Sequence, residues 1–443
     1  MDLINGFRLE QGHKIALVGA GGKTTLMFQL ARNFRTKVIC TTSTHLALDQ
    51  LGQADQHLII TDPEQIPGSA AEYPGDLLLF TGPQVETNRV GSPPAEALEA
   101  LANLADSWDC PLIVEADGAR KLPIKAPAEH EPPIPDFVDV VITVIGLSGL
   151  GKPLQDDWVH RPEYYAKLVD LPVGETLESH HLVKGLISSA GGLKNIPQNA
   201  RKILLINQID SFPNWKTFYG HMDLLLDHYH AVGFAVLEDQ LLLEVHERIA
   251  GIILAAGGST RFGEPKQLLD WHGKPLVNHV AQLALDAGLK PVVVVTGADH
   301  DALSEALRGS QVAIACNPGW ASGQSGSVRL GIETLPEGVG GAVFLLVDQP
   351  LISPQLIKKI LEQHRRNPAP IILPVIDGQA GNPVLFDKQV FDDLAQLSGD
   401  VGGRVLFEKY TTREVPWEDK KSQQDIDTPE DYQRIRFEEE SQL

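Results

Sequence analysis

Cysteine is scarce in this chain: three in 443 residues, Cys40, Cys110 and Cys316, with no CxxC spacing. That excludes a disulfide scaffold and a zinc ribbon, and it fits a reducing compartment. Long apolar runs are missing too. No stretch reaches the roughly 18 residues a membrane-spanning helix needs, and the segment from Val140 to Gly151 is broken by Gly and Ser. The opening residues MDLINGFRLEQGHK lack an apolar core of signal-peptide length, so a cytoplasmic protein is expected. Positive charge is in deficit, 37 Lys+Arg against 58 Asp+Glu, a net −21. Neither nucleic acid nor a membrane surface is expected as a partner. Small phosphorylated ligands stay open, because they need only a local cluster of donors and a metal.

What is present describes an ordinary globular protein, 43% hydrophobic and 21% charged. At roughly 150 residues per domain the length suits two or three domains. Short β-branched runs recur between longer amphipathic segments: Lys14–Val18, Leu112–Val114, Val140–Val144 and Ile203–Ile206, then Gly251–Leu254, Val292–Val295 and Ala342–Val347. Continuous apolar runs of this kind suit parallel strands covered on both faces, with helices such as Leu276–Ala287 and Pro354–Arg366 as crossovers. The class is α/β. A leucine-rich, acidic helix is expected over Leu237–Ile249, followed by a fresh strand and glycine turn at Gly251. Each half has its own glycine-rich loop after its own first strand, so two fused domains are expected, 1–246 and 247–443.

The segment Leu254-Ala255-Ala256-Gly257-Gly258-Ser259-Thr260-Arg261-Phe262-Gly263-Glu264-Pro265-Lys266 is the most informative. It follows a buried strand, at the end of which α/β sheets bind ligands. Small residues from Ala255 to Ser259 let the backbone approach a triphosphate with its N–H groups. Arg261 and Lys266 can neutralise phosphates that leave as pyrophosphate. The dinucleotide fingerprint GxGxxG is absent. Asp348 ends an apolar strand, where a lone carboxylate is costly unless a metal or hydrogen bonds satisfy it. Mg²⁺ on Asp348 and Asp427 is one reading, with Asp425 as a substitute for Asp427. Helix N-caps before Pro350 and Pro429 are the other. Trp320 either stacks on a base or pterin or is a half-buried loop aromatic. Arg404 either grips an acceptor phosphate or pairs with Asp400.

LAAGGSTRFGEPKQLL resembles the signature of the MobA-like nucleotidyltransferases, and within them the molybdenum cofactor cytidylyltransferases. Later blocks match in order: Asn317–Ser325 with Ser327 and Gly331, Val347-Asp348-Gln349-Pro350, Gly381-Asn382-Pro383, Gly399–Arg404 and Asp425–Asp431. The resemblance covers about residues 250–435. It implies a Rossmann-like fold of the nucleotide-diphospho-sugar transferase type, Mg²⁺ as cofactor, and CTP and a molybdopterin-type cofactor as substrates. It places Leu254–Ser259, Gly323 and Ser327 at the nucleotide. It also assigns CTP rather than GTP, because position 256 is Ala where the guanylyl branch has Gly. One methyl contributes only about 1–3 kcal/mol of discrimination, so other positions must share that task. Two rivals remain: a sugar- or alditol-phosphate nucleotidyltransferase, and a non-catalytic cofactor carrier or chaperone.

In the first half, Gly19-Ala20-Gly21-Gly22-Lys23-Thr24-Thr25 follows a strand and opens a helix. It is similar to a P-loop: glycines free the backbone N–H groups, Lys23 reaches phosphate and Thr24 offers a Mg²⁺ ligand. It departs from GxxxxGK[ST], with Leu17 in the place of the first glycine. Glu115-Ala116-Asp117 forms an acidic strand end. Lys121, Lys125, Glu129, His130 and Glu131 crowd the next loop, His160-Arg161 follows, and Asn207-Gln208-Ile209-Asp210 resembles a guanine-reading NKxD with Gln for Lys. GAGGKTT, TTSTH, VEADGARKLPIKAPAEHEPPIP and the GLGKPL–HR segment resemble the YqeC-type accessory proteins of selenium-dependent molybdenum hydroxylases, over about residues 5–240. The fusion implies a nucleotide-binding accessory domain with a P-loop-like α/β fold. It also implies a molybdenum hydroxylase as client.

Overall fold

The structure is a computed structural model that describes residues 1–66 and 75–440. These form two compact units, Met1–His246 and Glu247–Leu443. Both are α/β, with parallel sheets built from the short β-branched runs. Among the described residues no helix is long and apolar enough to cross a membrane.

The first unit is built on a nine-stranded sheet. Its spatial order is Leu241–His246, Ala231–Val236, Arg201–Asn207, Val140–Gly146, Lys14–Gly19, Leu112–Glu115, Val38–Thr42, Leu77–Thr81 and Gln56–Ile59. Every pairing is parallel except that of the edge strand Leu241–His246. Lys14–Gly19 is uninterruptedly apolar from Ile15 to Val18 because both faces are covered. Ile15 and Leu17 pack against Leu26, Met27 and Leu30 of helix Lys23–Asn33, while Ala16 and Val18 pack with Val138 and Val141 on the other side. The chain leaves this strand toward Val38–Thr42 on one side and later returns to Val140–Gly146 on the other. The reversal puts the topological switch at the end of Lys14–Gly19, where an open α/β sheet has its crevice.

The second unit's sheet runs Ala313–Cys316, Val292–Thr296, Arg248–Ala255, Val339–Leu346, Val384–Asp387 and Ile371–Ile376. Thr412–Pro416 pairs parallel to Ile371–Ile376, and Val384–Asp387 runs antiparallel to both its neighbours. Its switch lies at the end of Arg248–Ala255, between Val292–Thr296 and Val339–Leu346.

The expected crossover helices are present as Leu276–Asp286 and Pro354–Arg366. The helix expected over Leu237–Ile249 is not. Leu237–Asp239 makes one 3₁₀ turn, Leu241–His246 pairs antiparallel with Ala231–Val236, and Arg248–Ala255 begins the second sheet. A leucine run reads equally well as a strand. Here the open sheet edge offers partners for the backbone, and Leu242 and Val245 bury against the core.

Candidate functional site

In the second unit, loop 256–265 leaves the central strand at the switch. Among the described residues, none of the N–H groups from Gly257 to Arg261 meets an acceptor within the protein. The loop is held from beneath by Gln267, whose side chain is almost fully buried. Its Nε2 donates to Gly257 O at 2.6 Å and Ala255 O at 3.2 Å, and its Oε1 accepts from Ser259 Oγ at 3.1 Å. Ser259 Oγ in turn accepts from the Lys266 N–H at 3.1 Å, and Ser259 is left-handed at φ 48. Gly258 has to be glycine-sized, since a Cβ there would lie 2.8 Å from the Trp320 ring. Trp320 is therefore half-buried against the loop. Ala256 is buried, and its carbonyl accepts from Ala298 N–H at 3.2 Å.

Lys266 points into the mouth of this loop. Its Nζ lies 2.6 Å from Asp348 Oδ2 and 3.4 Å from Asp427 Oδ1, and it donates to Ile426 O at 3.3 Å. Arg261 is well exposed and reaches Asp427 Oδ2 at 3.9 Å. Neither aspartate caps a helix. Ser353 caps Pro354–Arg366. Thr428 caps Pro429–Glu440, with Thr428 Oγ1 accepting from Asp431 N–H at 3.2 Å and Asp431 accepting from Thr428 in return. The N-cap readings of Asp348 and Asp427 thus give way to carboxylates that pair with Lys266 rather than with a helix N-terminus. The Ile426 N–H donates to Asp348 O at 2.9 Å and ties the two segments together.

Asp425 stands beside them and accepts from Gln349 Nε2 at 2.7 Å. Burial, and then the like charges of Asp348 and Asp427, push its carboxyl above the ordinary range, against the Gln349 hydrogen bond and Lys266. A folded-state value raised this way favours folding below the ordinary carboxylate range, an advantage lost as pH climbs through the raised value. Asp425→Asn keeps the Gln349 bond and removes the charge. In divalent-free buffer it should raise Tm by about 2–4 °C at about pH 8 and leave it unchanged at about pH 4. A thermal melt at each pH checks this.

The other expected residues separate. Leu254, Gln349, Asn382, Arg404 and Asp425 line a cavity of ≈ 350 Å³. Arg404 makes no pair with Asp400, whose Oδ1 accepts instead from Gln324 N–H at 3.1 Å. Gly323, at φ 117, allows the close approach of the Asp400 backbone, 2.6 Å from where a Cβ would stand. The expected nucleotide contact Ser327 is not presented. It is buried, and its Oγ accepts from Asn317 Nδ2 at 3.0 Å, so it shapes the Asn317–Gly319 turn.

In the first unit the loop at the switch borders a cleft of ≈ 850 Å³. The structure narrows its phosphate-facing part. Gly19 N–H donates to Asp117 Oδ2 at 3.1 Å and Gly21 N–H to Leu122 O at 3.1 Å, so neither is offered to a ligand. Their glycines serve backbone packing: a Cβ on Gly19 would lie 2.2 Å from Val144 O, and one on Gly21 2.4 Å from Gly146 N. Gly22 (φ 133) and the first turn of the helix, Lys23, Thr24 and Thr25, supply the unclaimed N–H groups. Lys23 is 4% exposed, its Nζ held by Gly19 O at 2.7 Å and Asp117 Oδ1 at 3.1 Å. Thr24 Oγ1 donates to Glu115 Oε2 at 2.7 Å. Burial raises the Glu115 carboxyl, with Lys23 and that hydrogen bond opposing it.

A chain of alternating charges runs on from there. Asp117 Oδ2 is 2.9 Å from Lys125 Nζ, Lys125 is 2.9 Å from Glu131 Oε2, and Arg161 grips both oxygens of Glu131 at 2.7 and 2.9 Å. Burial alone would raise the Glu131 carboxyl, but the Arg161 and Lys125 hydrogen bonds hold it far below its usual range. Asn207 of the NQID segment donates to Gly21 O at 2.7 Å and accepts from Leu237 N–H at 2.9 Å, bracing the loop. Gln208 accepts from Ser148 Oγ, and Asp210 is exposed.

Sequence reasoning quoted the motifs that contain Gln267, Gln349 and Asn317 but gave these three no role. Gln267 stands directly after Lys266 inside the motif, and that adjacency was its one available signal.

Family comparisons agree with this division. The model for the YqeC protein matches residues 15–163, and that for the MobA-like NTP transferase domain matches 251–415. The uncharacterized protein YqeC of Escherichia coli K12 is 33% identical over 207 residues, 45% of this chain and 77% of its own length. Nicotine blue oxidoreductase of Paenarthrobacter nicotinovorans is 29% identical over 206 residues, 42% of this chain and 96% of its own length. The crystal structure of Rv0371c from Mycobacterium tuberculosis H37Rv has 28% identity, covers 43% of this chain and 98% of that one, and has a TM-score of 0.39. With an amide-lined loop at each switch and each family model falling on one of them, the chain belongs to the YqeC family through its first half and carries a MobA-like NTP transferase domain in its second.

Proposed function

We propose that the second unit transfers CMP from CTP to the terminal phosphate of a molybdopterin-type cofactor. An acceptor phosphate oxygen bonds to the α-phosphorus of CTP as the bond to the bridging oxygen breaks, and pyrophosphate leaves. The observation that carries this reading is the placement of Lys266 between Asp348 and Asp427, at the mouth of a loop whose N–H groups are unclaimed. The loop amides from Gly257 to Arg261 bind the triphosphate. Lys266 and Arg261 then meet the charge that grows on departing pyrophosphate. The cavity beside Leu254, with Arg404 at its wall, takes the acceptor.

The carboxylates also fit a hard divalent cation. Two aspartates that cap no helix share one ammonium, and a third carboxyl, raised first by burial and then by their charge, stands beside them. Among the described residues no three His, Cys, Asp or Glu side chains converge on one metal position. This suits Mg²⁺, which takes one or two protein carboxylates and fills its shell from phosphate oxygens and water. Asp348 and Asp427 would hold it, and its chemistry would be to neutralise phosphate oxygens in the transition state. For the first unit we propose phosphate binding on Gly22–Thr25, and a role beside the transferase in maturing a molybdenum hydroxylase.

With molybdenum cofactor as acceptor, CTP should release pyrophosphate faster than GTP. Ala256→Gly should narrow that gap without closing it, because a single buried methyl contributes only about 1–3 kcal/mol. A nucleotide-by-acceptor panel reading pyrophosphate tests it. GTP used as well as CTP ends the cytidylyl assignment, and release only with a sugar phosphate names a different acceptor. No release with any pair leaves a carrier.

A further inference from the structure

The first unit's cleft extends well past its phosphate loop. At ≈ 850 Å³ it lies in the upper part of the roughly 300–1,000 Å³ range of whole ligand sites. Gly22–Thr25 forms only part of its lining. The rest includes Arg120, Lys121, His130, His160 and Arg161, five cationic or imidazole side chains in a protein of net charge −21. Two of the acids nearby are already committed: Glu131 to Arg161 and Lys125, and Glu115 to Thr24. Among the described residues Lys121 pairs only with the exposed Asp49, at 3.3 Å. Arg120 has no ion pair or hydrogen bond among the described residues.

The backbone that presents these cations is strained. Arg120 and Lys121 are consecutive and both left-handed, φ 52 and 62. Two adjacent non-glycine residues in that region are unfavourable and persist where surrounding structure enforces them, as it does at binding sites. Here the enforcement is visible. Leu122 N–H donates to Ala119 O at 2.9 Å, and Leu122 O accepts the Gly21 N–H at 3.1 Å. The cationic turn is thus hydrogen-bonded directly to the phosphate loop.

We infer that this cationic part of the lining is a second oxyanion site beside the phosphate loop. It would take a phosphate monoester on Arg120, His130 and His160 while another phosphate group occupies Gly22–Thr25. A tetrahedral oxyanion suits it, because a guanidinium fork and two imidazoles can each meet a different oxygen. A carboxylate offers too few oxygens. The inference goes beyond the phosphate loop and does not depend on cytidylyl transfer by the second unit.

His160 supplies a local reporter. Burial first, then the charges of Arg161, Lys125 and Arg120, lower its pKa to about 4, with Glu131 opposing. An anion bound against it reverses that field. The experiment is a histidine-labelled NMR pH titration of the full chain, with the His160 signal assigned by its loss in His160→Gln. Orthophosphate, acetate and chloride are compared at equal ionic strength. Orthophosphate should raise the His160 midpoint by about one pH unit, and acetate and chloride should not. Arg120→Gly, which tolerates the left-handed backbone, should abolish the rise, whereas Lys23→Ala should keep it. A rise lost in Lys23→Ala but kept in Arg120→Gly places the anion on the phosphate loop alone and overturns the second site. So does an unmoved His160, or an equal response to acetate.

Discussion

Asp348→Ala should lower turnover in the proposed cytidylyl transfer by at least about 10²-fold, the scale of losing a principal electrostatic element at a phosphoryl centre. Asp348 Oδ2 is 2.6 Å from Lys266 Nζ and serves no helix cap, so its removal costs the fold little. The loss should fall on kcat, because the charge that needs the aspartate and its cation develops only as pyrophosphate departs. Binding of metal-free CTP should change much less. Steady-state kinetics paired with nucleotide titration in chelator separate the two. Full turnover in a variant with an unchanged melting curve would remove Asp348 from the mechanism.

Lys266→Ala should be at least as damaging, about 10²–10³-fold in kcat. The residue lies between two carboxylates, so the substitution also removes the ammonium that Asp348 and Asp427 share, leaving only Arg261, 3.9 Å from Asp427. Divalent-ion affinity of the nucleotide-free protein should therefore rise while turnover falls. A merely misfolded variant would not show that opposite movement. Lys266→Arg should recover part of the rate, since it restores charge without the compact three-donor head. A pure KM effect in Lys266→Ala would mean that the lysine only holds the ground-state triphosphate.

Much of the fold was legible because its signals are local. A buried parallel strand such as Ile15–Val18 or Val292–Val295 announces itself as a short apolar run. The ends of those runs, followed by small residues, mark where a sheet opens. Asp348 ends such a run and Lys266 lies in the loop that follows one, whereas Asp427 was named through the Asp425–Asp431 block of the resemblance. What stayed hidden depends on through-space partners. Composition could not show that Gly19 and Gly21 spend their N–H groups on Asp117 and Leu122, or that Lys23 is turned inward. The resemblance places Ser327 at the nucleotide, and nothing local shows that its hydroxyl accepts from Asn317. The Leu237–Ile249 stretch failed for a different reason. Its periodicity suits a helix or an edge strand, and the free edge of Ala231–Val236 decides between them.

The tie between Asp348 and Ile426 has a consequence for the order of events during synthesis. The phosphate-facing loop, its lysine and the first carboxylate are all translated by residue 348, but the partner carboxylate arrives with residue 427. Domains fold as units while the chain emerges. A nascent chain with the loop and sheet already exposed thus holds Lys266 against one aspartate only. Its charge balance is completed when the segment around Ile426 docks on Asp348, and helix Pro429–Glu440 follows it. The segment around Ile426 thus sets when this site becomes whole, so a chain stalled after strand Thr412–Pro416 has emerged but before Asp427 would hold a folded sheet with an unfinished centre.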